Sequence, residues 1–199
     1  MENGNTKKTA VLIYDQFCNF EISVALEILA IAEKQITVFA KSLANVRSEE
    51  GLNVCPDRCI SDIDVSEYDS LLLPGAADIR EVIEDEEMLS FIKLFANNQI
   101  IIGAISIAPI LLLKCGIMGE LPFMAGIDRE ELFEEGFTEK ELSQMQGWTD
   151  NINKPIKDGY IISGNIITSV SYEFVRFGLA FAGLLGIDIS PETFGVKMQ

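Results

Sequence analysis

Ser106 is the residue whose type and position most favour chemistry. It is a polar residue between an apolar run, Ile100–Ile105 (IIIGAI), and a leucine-rich segment, Ile107–Lys114. A tight turn from a buried strand into a helix forms a nucleophile elbow, which projects one side chain above the carboxyl end of a sheet. The backbone N–H group of Ile107 would then point at anything close to Ser106. Alternatively, Ser106 only caps the helix, since serine is a favoured N-cap residue.

Two further segments could bring polar groups to the same crevice. Glu21 lies in the first turn of a predicted helix, within an otherwise apolar stretch. It could simply interact with the helix dipole, or its apolar neighbours could desolvate it and keep it protonated. The other segment is Leu71–Ala76 (LLLPGA), a strand that ends in a glycine turn. There the backbone N–H groups of Gly75 and Ala76 could form an oxyanion-type pocket.

The composition excludes several kinds of site. The chain has no histidine among its 199 residues, so it cannot carry Ser-His-Asp or Cys-His catalysis by itself. Zinc also loses its usual nitrogen ligand. The four cysteines, Cys18, Cys55, Cys59 and Cys115, contain no C-x-x-C pair. We therefore expect reduced thiols, no metal site and no cofactor.

The charge balance restricts the partners. The chain has 31 acidic and 15 basic residues, a net charge of −16, which repels nucleic-acid phosphates and anionic membranes. The N-terminal sequence MENGNTKK contains no apolar segment of a signal peptide. The apolar run Gln99–Leu113 is interrupted by Gly103, Ser106 and Pro109 and is too short to span a bilayer. These features predict a cytoplasmic protein with no nucleic-acid or membrane partner.

Strand and helix patterns alternate along the chain. We predict strands at Thr9–Tyr14, Gln35–Ala40, Asp69–Leu73, Ile100–Ile105, Tyr160–Ser163 and Ile166–Thr168. We predict a first helix that begins at its N-cap Asn19 and ends at Lys34. A second helical segment should have two pieces, with Asp78 and Asp85 as their N-caps. Further helices are predicted at Ile107–Lys114, after a capping box formed by Thr138 and Glu141, and at Tyr172–Leu185. Arg47–Ser61 should form a small hairpin beside the main sheet.

The opening strand–helix–strand unit favours a parallel sheet with right-handed crossovers. A length of 199 residues fits one domain. We predict a single α/β domain over residues 1–199, a three-layer α/β/α sandwich with a mostly parallel central sheet. Ile100–Ile105 should lie in the middle of that sheet, and residues 1–8 should be flexible.

Together these segments resemble the ThiJ/PfpI family of the class I glutamine amidotransferase-like superfamily, which includes the parkinsonism-associated deglycase, bacterial isonitrile hydratase and PfpI-type amidases. The matching segments are the acidic first βα turn, Tyr14–Glu21 (YDQFCNFE); the strand end Leu73–Ala76 (LPGA), for L-P-G-G; the elbow Ala104–Pro109 (AISIAP), for A-I-C-x-x-P; and the closing segment Asp158–Ser169. The resemblance covers nearly the whole chain. It implies a flavodoxin-like fold, a site at Ser106 and Glu21, and a homodimer.

The chain departs from the family pattern at two decisive positions. The family's nucleophilic cysteine falls on Ser106, and the histidine found in many members has no counterpart. The stretch where that histidine often lies resembles Pro122–Ile127 (PFMAGI), which is apolar. A thiol at a helix N-terminus can become a thiolate, whereas a serine hydroxyl needs an adjacent base. Glu21 is not that base if it is protonated, as its counterpart is thought to be in the family.

Three hypotheses about function remain open. We expect a member without the family's thiol chemistry, which binds a small molecule in the crevice of Ser106 and Glu21 or binds a protein. The first alternative is a hydrolase (amidase) or a hydratase-type lyase that uses Ser106 and Glu21. The second alternative is an engineered Cys-to-Ser form of an active family enzyme.

Overall fold

The computed structural model describes residues 7–97 and 99–196. Residues 1–6 of the predicted flexible segment lie outside this range, whereas Lys8 already begins the first strand. The strands are β1 (Lys8–Leu12), β2 (Ile36–Ala40), β3 (Val46–Arg47), β4 (Asn53–Val54), β5 (Arg58–Cys59), β6 (Tyr68–Leu73), β7 (Ile101–Ile105), β8 (Phe123–Met124), β9 (Met145–Gln146), β10 (Tyr160–Ser163) and β11 (Ile166–Ser169). The helices are α1 (Asn19–Ile31), α2 (Arg80–Ile83), α3 (Glu86–Lys93), α4 (Pro109–Lys114), α5 (Arg129–Glu134), α6 (Trp148–Asn153) and α7 (Phe174–Leu184).

A seven-stranded sheet of order β10-β11-β7-β6-β1-β2-β5 forms the centre of the fold. All its neighbouring strands are parallel except β10, which runs antiparallel to β11. Five of the helices form two groups. Helix α1 packs against α7, and α2, α3 and α4 pack against one another. The predicted α/β sandwich with a mostly parallel sheet is confirmed. None of the helices in the described ranges is long and apolar enough to cross a bilayer.

Strands β1, β6 and β7 are neighbours in this sheet, and their order positions the candidate residues. The turn before Glu21 follows β1, Gly75 follows β6, and Ser106 follows β7 directly. Parallel strands end at the same edge of a sheet, and ligand crevices form there. The three loops that the sequence singled out therefore meet at one edge.

The structure corrects two details of the predicted sheet. The middle strand is β6, and β7 lies beside it as the third of seven strands. Only β3 and β4 form the predicted hairpin, because Cys59 pairs with Ala40 and so adds β5 to the main sheet. These pairings are set by contacts with β2, which the local pattern of residues 47–61 does not show.

Several predicted helices also differ from the structure, among them α4 and the helix expected after Thr138. Helix α4 begins at Pro109 rather than Ile107, because residues 106–108 form the turn that leaves β7. Thr138 and Glu141 do exchange capping-box hydrogen bonds, at 2.8 and 3.4 Å, but no helix follows them. Met145 pairs with Phe123 in the β8–β9 ladder, which leaves too few residues to propagate a helix.

Helices α1 and α7 pack closely because α7 carries a glycine where they meet. A methyl group on Gly178 would lie 2.8 Å from the backbone nitrogen of Ala25 and 2.9 Å from a methyl of Val24. A backbone atom cannot move away as a flexible side chain can. The separation of the two helices therefore depends on the missing side chain at Gly178.

We expect Gly178→Ala to lower the free energy of unfolding by about 1–3 kcal/mol, because the added methyl overpacks the α1–α7 contact. Gly183→Ala on the same helix is the matched control, since no atom lies within 4 Å of its added methyl. That control should be more stable than the parent by about 0.5–1 kcal/mol, from helix propensity. Urea denaturation of both variants measures this, and equal stability of the two would contradict the packing argument.

Candidate active site

Ser106 has the backbone conformation of an elbow. Its φ is +61°, in the left-handed region that costs a non-glycine residue about 1–3 kcal/mol. Its N–H donates to the carbonyl of Ser169 at 2.8 Å, and its own carbonyl accepts the N–H of Gly126 at 2.7 Å. The N-cap of α4 is Ala108, without a side-chain hydrogen bond. Ser106 is therefore held in a strained turn, half-buried, and does not cap the helix.

Two glycines approach Ser106 more closely than any other residue type allows. A methyl on Gly75 would lie 2.7 Å from Ser106 Cβ, and one on Gly126 would lie 2.9 Å from Ser106 Oγ. Gly126 was not among the predicted site residues. The available signal was its place within Pro122–Ile127, where the family resemblance locates a histidine. The structure thus adds Gly126 to the site as a close backbone wall.

Glu21 lies against Ser106, in the first turn of α1, and is only 2% exposed. Its carboxylate accepts the Gly75 N–H on Oε2 at 2.7 Å, and the Ser106 hydroxyl lies close enough to lower its pKa. Burial raises the pKa of Glu21 from 4.5 to about 7; hydrogen bonds from Gly75 and Ser106 oppose this rise, and the charges of Glu49 and Glu50 add to it. Near neutral pH the carboxyl is therefore present in both protonation states.

The predicted backbone donors are only partly open. The Gly75 N–H is occupied by Glu21, so Gly75 cannot also donate to a ligand, contrary to the expectation from the glycine turn. The N–H groups of Ala76 and Ile107 donate to no atom of residues 7–97 and 99–196. Both residues are half-buried. Two of the three proposed donors thus remain available for a ligand oxygen.

Cys18 does not supply the missing thiolate. Its side chain is buried, and its Sγ donates to Glu49 Oε2 at 2.6 Å. Burial raises the pKa of this thiol far above its usual range, and the hydrogen bond to Glu49 and the charge of Glu21 raise it further. Burial also raises the pKa of Cys115, to about 11. All four cysteines are free, as expected, and these two are held protonated.

The N-terminus of α1 is capped from a distant loop. Asn19 was the predicted N-cap, but it is the first helical residue, and Cys18 occupies the cap position without a side-chain bond. The Glu50 carboxylate instead accepts the N–H groups of Asn19, at 3.3 Å, and Phe20, at 2.9 Å. A carboxylate satisfies exposed helical N–H groups and interacts favourably with the dipole. The β3–β4 turn therefore fixes the helix that carries Glu21.

A separate cleft of about 340 Å³ lies at the carboxyl ends of β1 and β2. Tyr14 lines it, together with residues of the loop after β2 and of helices α2 and α3, whereas Ser106 and Glu21 do not. Within the described ranges, no cluster of three or more cysteine or acidic side chains could hold a metal ion. Tyr14 thus stands between this cleft and the candidate site.

Comparison with known proteins identifies the family. The model of the DJ-1/PfpI family matches residues 7–182. The chain belongs to the DJ-1/PfpI family. The ThiJ/PfpI resemblance that its motifs indicate is thereby confirmed.

Relatives of this DJ-1/PfpI protein have different named activities. This chain is 30% identical over 115 residues to protein/nucleic acid deglycase 2 of Escherichia coli (strain K12). The aligned region covers 57% of this chain and 67% of the deglycase. The chain is 23% identical over 149 residues to the glutathione-independent glyoxalase DJR-1.2 of Caenorhabditis elegans, over 75% of this chain and 72% of that one. The DJ-1 superfamily protein Atu0886 from Agrobacterium tumefaciens has a TM-score of 0.76 at 16% identity, over 94% of each chain. This structural likeness shows the fold.

We expect the burial of Glu21 to give the protein a distinctive pH dependence. Between its ordinary value of 4.5 and about 7, the folded state holds a proton that the unfolded state has lost. The free energy of unfolding should therefore fall by about 3 kcal/mol as the pH rises through this range, relative to a Glu21→Gln variant. Below the ordinary value both states are protonated, and the difference between the two proteins should be constant.

Urea denaturation from about pH 4 to about pH 8 measures this dependence. Glu27→Gln is the control, because Glu27 is an exposed carboxyl on the same helix. Its curve should run parallel to that of the parent protein. A Glu21→Gln curve that also runs parallel to the parent would show that Glu21 does not retain its proton.

Proposed function

We propose that this DJ-1/PfpI protein binds a small neutral carbonyl compound in the crevice of Ser106 and Glu21, without the thiol chemistry of its family. The observation that carries the proposal is the pair of open N–H groups at Ala76 and Ile107, on the loops that flank Ser106. Such donors fit a carbonyl oxygen. Glu49 and Glu50 beside Glu21 disfavour an anionic ligand.

Ser106 has no thiol to ionise and no histidine to accept its proton, which leaves the partly ionised Glu21 as its neighbouring base. Ser106 carries a hydroxyl, whose proton must pass to a base before it attacks carbon. The chain has no histidine, and the nearby Cys18 thiol is held protonated. A neutral Glu21 can instead donate a hydrogen bond to a bound ligand. These features support binding rather than thiol-dependent turnover.

One observation favours a second candidate function, a hydrolase or a hydratase-type lyase. The Ser106 hydroxyl adjoins the Glu21 carboxyl, whose pKa of about 7 leaves it partly ionised at neutral pH. In that function Ser106 Oγ would bond to the carbonyl carbon while its proton moves to Glu21. The N–H groups of Ala76 and Ile107 would stabilise the oxyanion, and the C–N bond would break as Glu21 passes the proton to the leaving amine. Water would then attack the Ser106 ester, giving a proton to Glu21, and the acid would leave as the proton returns to Ser106 Oγ.

The remaining expectations stay predictions. These are the homodimer, the cytoplasmic location and a protein partner. The hypothesis that Ser106 replaces a native cysteine is tested by the sequence of the encoding gene.

We expect acetone, as a neutral carbonyl probe, to shift the backbone amide resonances of Ala76 and Ile107 in a ¹H–¹⁵N NMR titration. Acetate, of similar size but anionic, should shift them less, because the surrounding carboxylates repel it. The Gly183 amide, on helix α7, serves as the internal control and should not move. Equal shifts for the two probes, or none at Ala76 and Ile107, would contradict the proposed ligand class.

We also expect the parent protein to consume methylglyoxal and isonitriles no faster than Ser106→Ala does, because neither protein has a thiol at the elbow. Ser106→Cys should gain a peroxide-sensitive thiol with a pKa below the ordinary value of about 8.5. Mass spectrometry of alkylated peptides distinguishes this thiol from the exposed Cys55. Turnover by the parent that both Ser106→Ala and Glu21→Gln abolish would replace the binding proposal with the second candidate function.

A further inference from the structure

The peptide unit between Pro74 and Gly75 has both of its polar groups bound by buried side chains. The Tyr14 hydroxyl donates to the carbonyl of Pro74, and the Gly75 N–H donates to Glu21 Oε2 at 2.7 Å. The carbonyl and the N–H belong to the same amide group. A single peptide plane therefore connects the Tyr14 phenol to the Glu21 carboxyl.

This connection has an electronic consequence. A donor on the carbonyl oxygen of an amide polarises the group and makes its N–H a stronger donor, so hydrogen bonds in a chain strengthen one another. The stronger Gly75 N–H in turn favours the ionised form of the carboxyl that it contacts. The Tyr14 hydroxyl thus acts on Glu21 without touching it.

Tyr14 is itself firmly placed. It is 4% exposed, and its backbone carbonyl accepts the N–H of Phe17 at 3.1 Å. Burial raises the pKa of its phenol well above 10, and the negative charge of Glu21 raises it further, so the phenol remains a neutral donor. Its hydroxyl also fixes the direction of the peptide, since a rotated Pro74–Gly75 unit would turn its N–H away from Glu21.

We propose that Tyr14 is a positioning residue of the candidate site, which acts through the Pro74–Gly75 peptide to hold the Gly75 N–H on Glu21 and favour its carboxylate form. The inference rests on the proposed function only in that Glu21 belongs to the working site. The groups that face Glu21 are the Ser106 hydroxyl, the Gly75 N–H, the carboxylates of Glu49 and Glu50, the Cys18 thiol and the Tyr14 phenol. Tyr14 opposes the effect of those two carboxylates.

The test follows Glu21 and Gly75 by NMR in the Tyr14→Phe variant, which keeps the ring and removes the hydroxyl. The Gly75 amide proton should move upfield, because its hydrogen bond weakens. The pH midpoint of the Glu21 side-chain ¹³C signal should rise by about 0.3 pH unit. Neither measurement needs a ligand or turnover. The role of Tyr14 can therefore be tested even if the proposed function is wrong.

The matched control is Tyr68→Phe. Tyr68 is also buried, at 1% exposure, and its hydroxyl has no hydrogen-bond partner among the described residues. The two substitutions remove the same atom from a buried ring, but only Tyr14 contacts the peptide. Tyr68→Phe should leave the Gly75 shift and the Glu21 midpoint unchanged. Equal effects of the two variants would overturn the proposal.

A second measurement does not depend on the folding of a variant. Biosynthetic 3-fluorotyrosine makes each phenol a stronger donor and should therefore lower the Glu21 midpoint, opposite to Tyr14→Phe. The same labelling of the Tyr68→Phe protein should give the same lowering. An unchanged midpoint in the labelled parent protein, or a rise, would contradict the role of Tyr14.

Discussion

The buried hydrogen bond between the Gly75 N–H and the Glu21 carboxyl is the contact on which the candidate site depends. It joins the first turn of α1 to the loop after β6, and Ser106, after β7, lies beside the same carboxyl. Glycine is required at position 75 because any side chain there would overlap both Ser106 and Glu21. The Glu21 carboxyl therefore lies where the segments after the three strands meet.

Burying this carboxyl is costly, and the surroundings decide its charge. Desolvation and the charges of the neighbouring Glu49 and Glu50 favour the protonated form of the carboxyl. The Gly75 N–H and the Ser106 hydroxyl favour the carboxylate form. The opposing effects place the pKa near 7. Small changes in the surrounding donors can then change the charge of the site at neutral pH. The hydrogen bond from Tyr14 to the Pro74 carbonyl can therefore affect the ionised fraction of Glu21.

The fold by itself does not decide the chemistry. DJ-1/PfpI architecture supports relatives named as a deglycase and a glyoxalase, and one scaffold can host different functions. In this chain Ser106 has a strained backbone, at a φ of +61°, and presents a hydroxyl. The N–H groups of Ala76 and Ile107 have no acceptor among the described residues. The proposed recognition of a carbonyl oxygen therefore does not require a bond to carbon.

The sequence by itself predicted the longer strands, the helices α1 to α4 and α7, and a turn at Ser106, because apolar runs and capping residues act locally. It predicted neither α5 nor α6, and only the structure decided that Ser106 forms an elbow rather than a helix cap. Periodicity missed β8 and β9, since two-residue strands contain no repeat. Only the tertiary structure decided that Glu50 caps α1, that Gly126 lies against Ser106 and that Glu21 occupies the Gly75 N–H. These contacts join residues 20 to 54 positions apart, and no local pattern encodes the distance between such residues. The charge of Glu21 follows from that packing, because it depends on how much water and which donors the folded chain leaves around the carboxyl.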